Sequence, residues 1–156
     1  MIFTDEMMKN YEFSFDRSTR LDNRLIYVID FIQSTINTEP LYYGKLYIDA
    51  ENLALKSAVF KLNIQDREAS SRMFIIRKPL KANAYPIDAS YRIDYTEKDG
   101  KWYYGYSRIE LGLRINWKRK LFNTTYYSTI EMAVTDWEKA GTEKPASRKE
   151  RLRSNV

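Results

Sequence analysis

The sequence predicts a mainly β fold: a curled antiparallel sheet, or half-barrel, of about seven strands with a helical insertion after the fourth strand. The first indication is a long hairpin, in which residues 102–117 and 121–137 both alternate and only three residues separate them. The second is a series of five shorter strand-like segments before this hairpin. The third is that no strand is followed by a glycine-rich phosphate loop, which excludes the nucleotide-binding α/β folds.

The length of the hairpin predicts curvature. A strand rises about 3.3 Å per residue, so sixteen residues span roughly 50 Å. A compact chain of this length has a radius of gyration near 15 Å. The strands must therefore curl, and Gly105 and Gly112 are the predicted bend points, because glycine is favoured at bulges and corners. The alternative is two shorter strands in tandem, broken at a glycine.

The shorter strands are predicted at residues 11–17, 25–33, 41–49, 55–64 and 91–96. The segment 25–33 is apolar at nearly every position except Asp30, as is typical of a central strand. Asp99 and Gly100 predict a tight hairpin turn before the long hairpin. Thr4 is a candidate cap for a short helical turn that ends at Met8.

A helix is predicted at residues 66–75. Asp66 is its candidate N-cap, and Glu68 with Arg72 forms an i,i+4 ion pair. Its predicted apolar stripe consists of Ala69, Met73 and Ile76. The whole segment 65–89 is predicted to contain no strand, because two prolines and no periodicity follow the helix. Such an insertion usually covers something or serves a site.

The composition favours a non-catalytic domain. The chain has 156 residues, enough for one domain (1–137) and a polar, basic tail or linker (138–156). It has neither cysteine nor histidine, which removes disulfides, the commonest general base and the commonest metal ligand. No Gly-x-Ser-x-Gly elbow and no cluster of metal ligands occurs in the sequence. We therefore expect no enzymatic activity, no metal and no cofactor.

The distribution of charge argues against nucleic acid. The net charge is +5, and the tail alone carries six basic residues against three acidic ones. The remaining body is nearly balanced, whereas nucleic-acid-binding domains concentrate basic charge on one face. No apolar run approaches the roughly 18 residues of a membrane helix. The N-terminal segment carries acids where a signal peptide is basic, so the protein is either cytoplasmic or cut from a longer precursor.

Three carboxylates lie within predicted strands: Asp30, Asp94 and Glu110. For Asp94 and Glu110 we expect cross-strand ion pairs on a solvated face rather than acid–base chemistry. Asp30 has apolar neighbours, and it lies at a strand edge, pairs with a lysine or arginine, or is a buried functional acid.

Two sets of side chains are candidate binding sites. An apolar stripe along the long hairpin either packs under the helix or lines a ligand cavity that Met73 helps to cover; its members are Ile109, Leu111, Leu113, Ile115 and Trp117. Trp102, Tyr104 and Tyr106 are predicted to share one face. They are either rim residues of a tyrosine-rich core or an exposed platform on which a sugar stacks.

Residues 41–63 and 98–123 resemble a segment that follows the carboxypeptidase-regulatory-like β-domain in long Gram-negative cell-envelope proteins. The first stretch carries the pattern through Gly44, Leu46, Tyr47, Ile48, Asp49, Ala54, Leu55, Ala58 and Phe60. The two stretches cover about a third of the chain. The resemblance implies a periplasmic or outer-membrane-associated location, and it implies that Met1 and Val156 are not natural ends.

The order of hairpins more distantly resembles the outer-membrane lipoprotein carriers, in which a curled sheet cups a helical cover and holds acyl chains. The insertion at 65–89 matches that cover in position, although no carrier motif is present. The resemblance implies a lipid or acyl ligand, or another envelope protein as partner. We therefore expect a non-catalytic envelope module that binds an apolar or amphipathic ligand or a partner protein. A carbohydrate-binding surface and a purely structural spacer are the alternatives.

Overall fold

The computed structural model describes residues 4–34, 39–76, 82–117 and 123–137, which form one antiparallel sheet and two short helices. The elements are α1 (Asp5–Met8), β1 (Tyr11–Leu21), β2 (Arg24–Gln33), β3 (Tyr42–Asp49), β4 (Leu55–Leu62), α2 (Arg67–Phe74), β5 (Ala82–Lys98), β6 (Lys101–Trp117) and β7 (Asn123–Ala133). The seven strands lie in sequence order, so each pairs with its neighbours along the chain. This confirms the predicted curled, open, antiparallel sheet with a helix after the fourth strand.

The strand register assigns side chains to two faces, because directly opposed residues share a face. One row crosses the sheet through Phe13, Phe31, Gly44, Phe60, Tyr91 and Ile109. We call the face that carries this row the aromatic face. The adjacent row crosses through Ser14, Asp30, Lys45, Val59, Arg92 and Arg108. We call its face the groove face.

The main buried cluster lies on the aromatic face, whereas Ile26 and Val28, which are also fully buried, share the groove face with Asp30. Phe31 and Phe60 are almost fully buried, and Gly44 lies between them in the register. Because Gly44 has no side chain, the two rings approach over it to a centroid distance of 6.3 Å. Phe60 also stacks on Tyr91 at 5.1 Å, and Tyr42 meets both rings edge-on. This aromatic packing ties β2, β3, β4 and β5 together.

The phenol of Tyr91 provides a test of this packing. Burial raises its pKa most, the neighbouring Tyr42 contributes through charge repulsion and a hydrogen bond, and together they raise the pKa from 10.0 to about 12. The neutral phenol is thus favoured in the folded state, and its stabilisation is complete below pH 10 and lost as the pH rises towards 12. We expect the free energy of unfolding to fall over this range in the wild type and to fall less in Tyr91→Phe. Urea denaturation at a series of alkaline pH values measures both, and parallel curves would contradict the assignment.

Four register shifts accompany the curvature of the sheet. In the β5–β6 pair, Asp94 opposes Tyr106 and Tyr95 opposes Tyr104, so Gly105 is the extra residue of a bulge. Gly112 lies opposite Asp88, next to the second irregularity of the same pair. The two predicted bend points therefore lie at or next to irregularities of the strand pairing. The residues predicted to begin β7 at 121 lie outside the described residues, and β7 ends at Ala133 rather than at 137.

The prediction that residues 65–89 contain no strand is wrong, because β5 begins at Ala82 and passes through Pro86. On one side, β4 pairs only with the part of β5 from Ser90 to Asp94. Among the described strands, residues 82–89 therefore pair with β6 alone. A proline is tolerated where one side of a strand has no hydrogen-bonded neighbour. The register also shifts next to Pro86.

Helix α2 packs beside this first part of β5. Asp66 caps it by accepting hydrogen bonds from the amides of Glu68 and Ala69, as predicted. The predicted ion pair between Glu68 and Arg72 also forms, at 3.7 Å.

The predicted apolar stripe of this helix is only partly right. Ala69 is buried, but Met73 is exposed and Ile76, just past the helix, is 98% exposed. Ser70 and Ser71 are buried instead, because small residues let the helix lie close to β5, where the Ser71 hydroxyl donates to the carbonyl of Ala84 at 2.7 Å.

The N-terminal prediction is confirmed, since the Thr4 side chain accepts a hydrogen bond from the amide of Met7 at the start of α1. Neither α1 nor α2 is long and apolar enough to cross a membrane. The predicted tail, residues 138–156, lies outside the described residues.

Candidate functional site

The groove face carries an open groove of about 1150 Å³. Its lining extends from Ser14 on β1 to Arg114 on β6, so the sheet curls around it. At one end, residues between β4 and α2 and the first residue of α2 complete the wall. Its lining includes the side chains of Asp30, Ile32, Tyr43, Lys45, Val59, Lys61, Arg67, Tyr85, Ile87 and Arg114.

Three apolar side chains lie exposed in the middle of the groove. Ile32, Tyr43 and Val59 are 52%, 46% and 43% exposed, on the neighbouring strands β2, β3 and β4. Tyr85 and Ile87 continue the apolar lining on β5. Single exposed apolar residues are common, but a contiguous set inside a concave surface is typical of a binding site.

The acid that the sequence singled out, Asp30, lies in this groove as half of an ion pair. Lys45 donates to Asp30 at 2.6 Å and to Asp16 at 2.8 Å. The hydrogen bonds to Asp16 and Asp30 raise the pKa of Lys45, while the hydrogen bond from Lys45 lowers the pKa of Asp16. Of the three possibilities for Asp30, the structure therefore shows pairing with a lysine.

The other two strand carboxylates are also paired on the groove face. Asp94 accepts hydrogen bonds from Arg92, at 2.8 Å, and from the Ser57 hydroxyl. Glu110 pairs with Arg108. The prediction that both carboxylates form ion pairs is confirmed, but the expected partners on a neighbouring strand are wrong. Both arginines are two residues away along the same strand, a spacing that places the two side chains on one face.

The predicted apolar stripe lies on the opposite face of the sheet. Its residues are half-buried and oppose Tyr91, Ala89, Pro86, Ala84 and Ala82 of β5, so they extend the aromatic face. Among the described residues that line the groove, none belongs to the set Ile109, Leu111, Leu113, Ile115, Trp117 and Met73. The stripe therefore packs with the β5 segment beside α2, while the open groove lies on the other side.

The three predicted platform residues do not form one row. The bulge at Gly105 places Tyr104 opposite Tyr95 and Tyr106 opposite Asp94, which are consecutive residues on opposite faces of β5. The Tyr104 hydroxyl accordingly bonds Ser107, whereas that of Tyr106 donates to Glu131. The expectation that Trp102, Tyr104 and Tyr106 share a face is thus wrong, because the bulge interrupts the alternation. All three rings are half-buried.

A smaller cavity of about 670 Å³ lies at the end of the sheet that carries the β3–β4 turn, and an ion-pair network forms part of its wall. Arg24 donates to Asp49 at 3.1 Å and also to Glu97, and its guanidinium lies 5.7 Å from the centre of the Trp102 ring. These contacts join β2 to β5 and β6. The network therefore holds the curl of the sheet at this end.

Asp49, a member of the envelope-protein pattern, has a structural role in this network. It is only 1% exposed, and it also accepts hydrogen bonds from the amides of Glu51 and Asn52 in the β3–β4 turn. Burial acts to raise the pKa of Asp49. The hydrogen bonds from Arg24 and the two amides outweigh burial and leave the pKa below its ordinary value.

Sequence reasoning missed one end of the groove, formed by Arg67, Tyr85, Ile87 and Arg114. The alternation of Ala82 and Ala84 with Asn83 and Tyr85 was a strand signal, but the prolines at 79 and 86 hid it. Arg114 lies between Leu113 and Ile115 of the apolar stripe. Because successive side chains of a strand point to opposite faces, its side chain lies on the groove face.

The groove contains no recognisable metal site: in residues 4–34, 39–76, 82–117 and 123–137, no three or more carboxylates are grouped so that they could hold an ion. No protein-family model, curated protein or solved structure matches this chain.

Proposed function

We propose that this protein is a non-catalytic binding module that holds an apolar or amphipathic ligand in the groove of its curled sheet. The single observation that carries the proposal is the groove of about 1150 Å³ with exposed Ile32, Tyr43 and Val59 at its centre. Small-molecule sites are usually concave, mostly apolar clefts of about 300–1000 Å³ with a few polar groups.

The chemistry of the groove favours binding over catalysis. Its carboxylate Asp30 is engaged by Lys45, and the chain contains no histidine. The apolar side chains are supplied by rigid, neighbouring strands, so a ligand would find a largely preformed surface. A location in the cell envelope is part of the proposal and rests on the resemblance of residues 41–63 and 98–123. Fractionation of cells that carry the full gene tests that location.

The experiment that tests ligand binding is a titration with N-phenyl-1-naphthylamine, an uncharged probe whose fluorescence rises in apolar surroundings. We expect saturable binding to the wild type. In the double variant Ile32→Gln/Val59→Gln we expect binding to weaken about tenfold or more, because two partly exposed apolar contacts are lost.

The matched control is Ile76→Gln, which makes the same change on a side chain outside the groove. It should bind the probe like the wild type, and far-ultraviolet circular dichroism should show all three proteins folded. Absence of saturable binding to the wild type would overturn the proposal and favour a structural spacer. Equal weakening in the control and in the double variant would also overturn it, since the probe would then bind elsewhere.

A further inference from the structure

The end of the groove at β5 and β6 combines two arginines with one tyrosine. The guanidinium carbon of Arg67 lies 4.9 Å from the centre of the Tyr85 ring. Arg114 is the direct register partner of Tyr85 on β6. Asn116 donates weakly to the Tyr85 hydroxyl at 3.4 Å, which helps to hold the ring in place. Arg67 and Arg114 therefore flank the same tyrosine, and both line the groove.

These arginines differ from the other basic side chains of the groove. Lys45 is paired with Asp16 and Asp30, and Lys61 with Asp88. For Arg67 and Arg114, no carboxylate among the described residues lies within ion-pair distance. The acid nearest to Arg67 in sequence, Glu68, pairs with Arg72 instead. Two positive charges without a carboxylate partner among the described residues thus stand at one end of a groove whose middle carries exposed Ile32, Tyr43 and Val59.

The geometry of Arg67 suits an anion. Its guanidinium carbon lies over the Tyr85 ring, and its N–H groups donate no hydrogen bond to the part of the chain that the structure describes. The guanidinium is planar and has five N–H donors. A planar carboxylate matches this fork and accepts two parallel hydrogen bonds. Arg114, on the other side of Tyr85, adds a second positive charge.

The apolar part of the groove begins next to this charged end. From β6 to β2 the sheet spans four strand spacings, about 19 Å if it were flat. Ile87, Val59, Tyr43 and Ile32 lie along this path. Asp30, Lys45 and Lys61 also line this path, but they are engaged in ion pairs. A groove with unpaired cationic donors at one end and exposed apolar side chains in its middle is complementary to a molecule with one anionic head and one apolar tail.

We propose that the groove binds the anion of a fatty acid, with its carboxylate held by Arg67 and Arg114 and its acyl chain lying along Ile32, Tyr43 and Val59. This inference rests on the proposed binding function and adds the chemical class of the ligand. The residues that would hold the carboxylate, Arg67 and Arg114, belong to neither of the two binding sites predicted from the sequence.

The experiment displaces bound N-phenyl-1-naphthylamine with three amphiphiles of equal chain length: laurate, dodecanol and dodecyltrimethylammonium. We expect laurate to bind about tenfold more tightly than dodecanol, and the cation to bind least well. Each of Arg67→Gln and Arg114→Gln should weaken laurate up to about fivefold, since both side chains are exposed to solvent. The double variant should abolish the preference for laurate and leave dodecanol unchanged.

Two further variants make the result specific. Arg72→Gln removes an arginine of α2 that lies outside the groove, and it should leave the laurate preference intact. Arg67→Lys/Arg114→Lys retains the charge but loses the planar fork, so we expect an intermediate preference. High salt should reduce the preference for laurate in the wild type, because exposed charges are screened.

The two proposals fail in different ways. The head-group assignment is overturned if laurate and dodecanol displace the probe from the wild type equally well. It is also overturned if the double glutamine variant still prefers laurate to dodecanol. In both cases, saturable binding of the probe would still support the groove as a binding site. A protein that binds neither the probe nor, by calorimetry, laurate would overturn both proposals.

Discussion

Replacing Gly44 with alanine is expected to destabilise the protein by about 3 kcal/mol or more, because the new methyl group meets backbone that cannot move aside. An ideal Cβ at this position would lie 2.2 Å from the carbonyl oxygen of Val59 and 2.6 Å from the Cα of Phe60. Relieving that overlap means separating β3 from β4 and parting the rings of Phe31 and Phe60. The loss of chain entropy in the unfolded state offsets only about 0.4–1 kcal/mol.

Urea denaturation followed by tryptophan fluorescence measures this effect as a lower midpoint. The matched control is Gly112→Ala, for which the nearest atoms to the new Cβ belong to side chains, those of Ile87 at 3.0 Å and Tyr127 at 3.2 Å, and not to the backbone. Tyr127 is exposed and can rotate away, so we expect a change within about 1 kcal/mol. A Gly44→Ala protein as stable as the Gly112→Ala protein would show that the aromatic packing does not depend on the missing side chain.

Replacing Asp49 with alanine is expected to cost about 2–4 kcal/mol, since it leaves Arg24 and two turn amides without their acceptor. Asp49→Asn should cost less. Its carboxamide oxygen still accepts from the amides of Glu51 and Asn52, and only the charged contact with Arg24 is lost. The order wild type, Asn, Ala in urea midpoint is the expected result.

The pH dependence separates the charge of Asp49 from its hydrogen bonds. Its pKa in the folded state lies below the ordinary 3.8, so its charge stabilises the protein at neutral pH, and this contribution disappears as the pH falls through the folded pKa. The difference in unfolding free energy between wild type and Asp49→Asn should therefore shrink between pH 7 and pH 3.

The control for both measurements is Asp22→Asn, which removes the exposed partner of Lys56 and should leave the midpoint at neutral pH nearly unchanged. A difference between wild type and Asp49→Asn that stays constant with pH would refute the role of the charge.

Much of the fold was predictable because it depends on local patterns. Alternation located most of the seven strands, and a nearly continuous apolar run located β2. The Asp99–Gly100 turn adopts the positive φ values that its residues favour, and Asp66 caps α2 as its side chain suggests. The first half of β5 was not predictable in this way. Its strand conformation depends on pairing with β6 over residues 82–89, a contact between segments whose proximity the local sequence does not encode.

The candidate site was less predictable than the fold. The sequence favours its most apolar stripe, Ile109 to Trp117, as a binding site. Such a stripe is also what a core face requires, and the structure shows that it extends the aromatic face. The groove is instead lined by mixed residues such as Val59, Lys45 and Arg114, which alternate with core residues and resemble an ordinary solvated face.

The sequence by itself determined that this protein is an antiparallel sheet, that the sheet must curl, and that Gly105 and Gly112 lie at irregularities of its longest strand pair. These properties follow from side-chain periodicity, strand length and the conformational freedom of glycine. Only the tertiary structure decided which face forms the groove and that Arg67 and Arg114 meet around Tyr85. The reason is that a groove arises where strands distant in sequence curve towards each other, and no local pattern specifies which face of an alternating strand becomes the concave one.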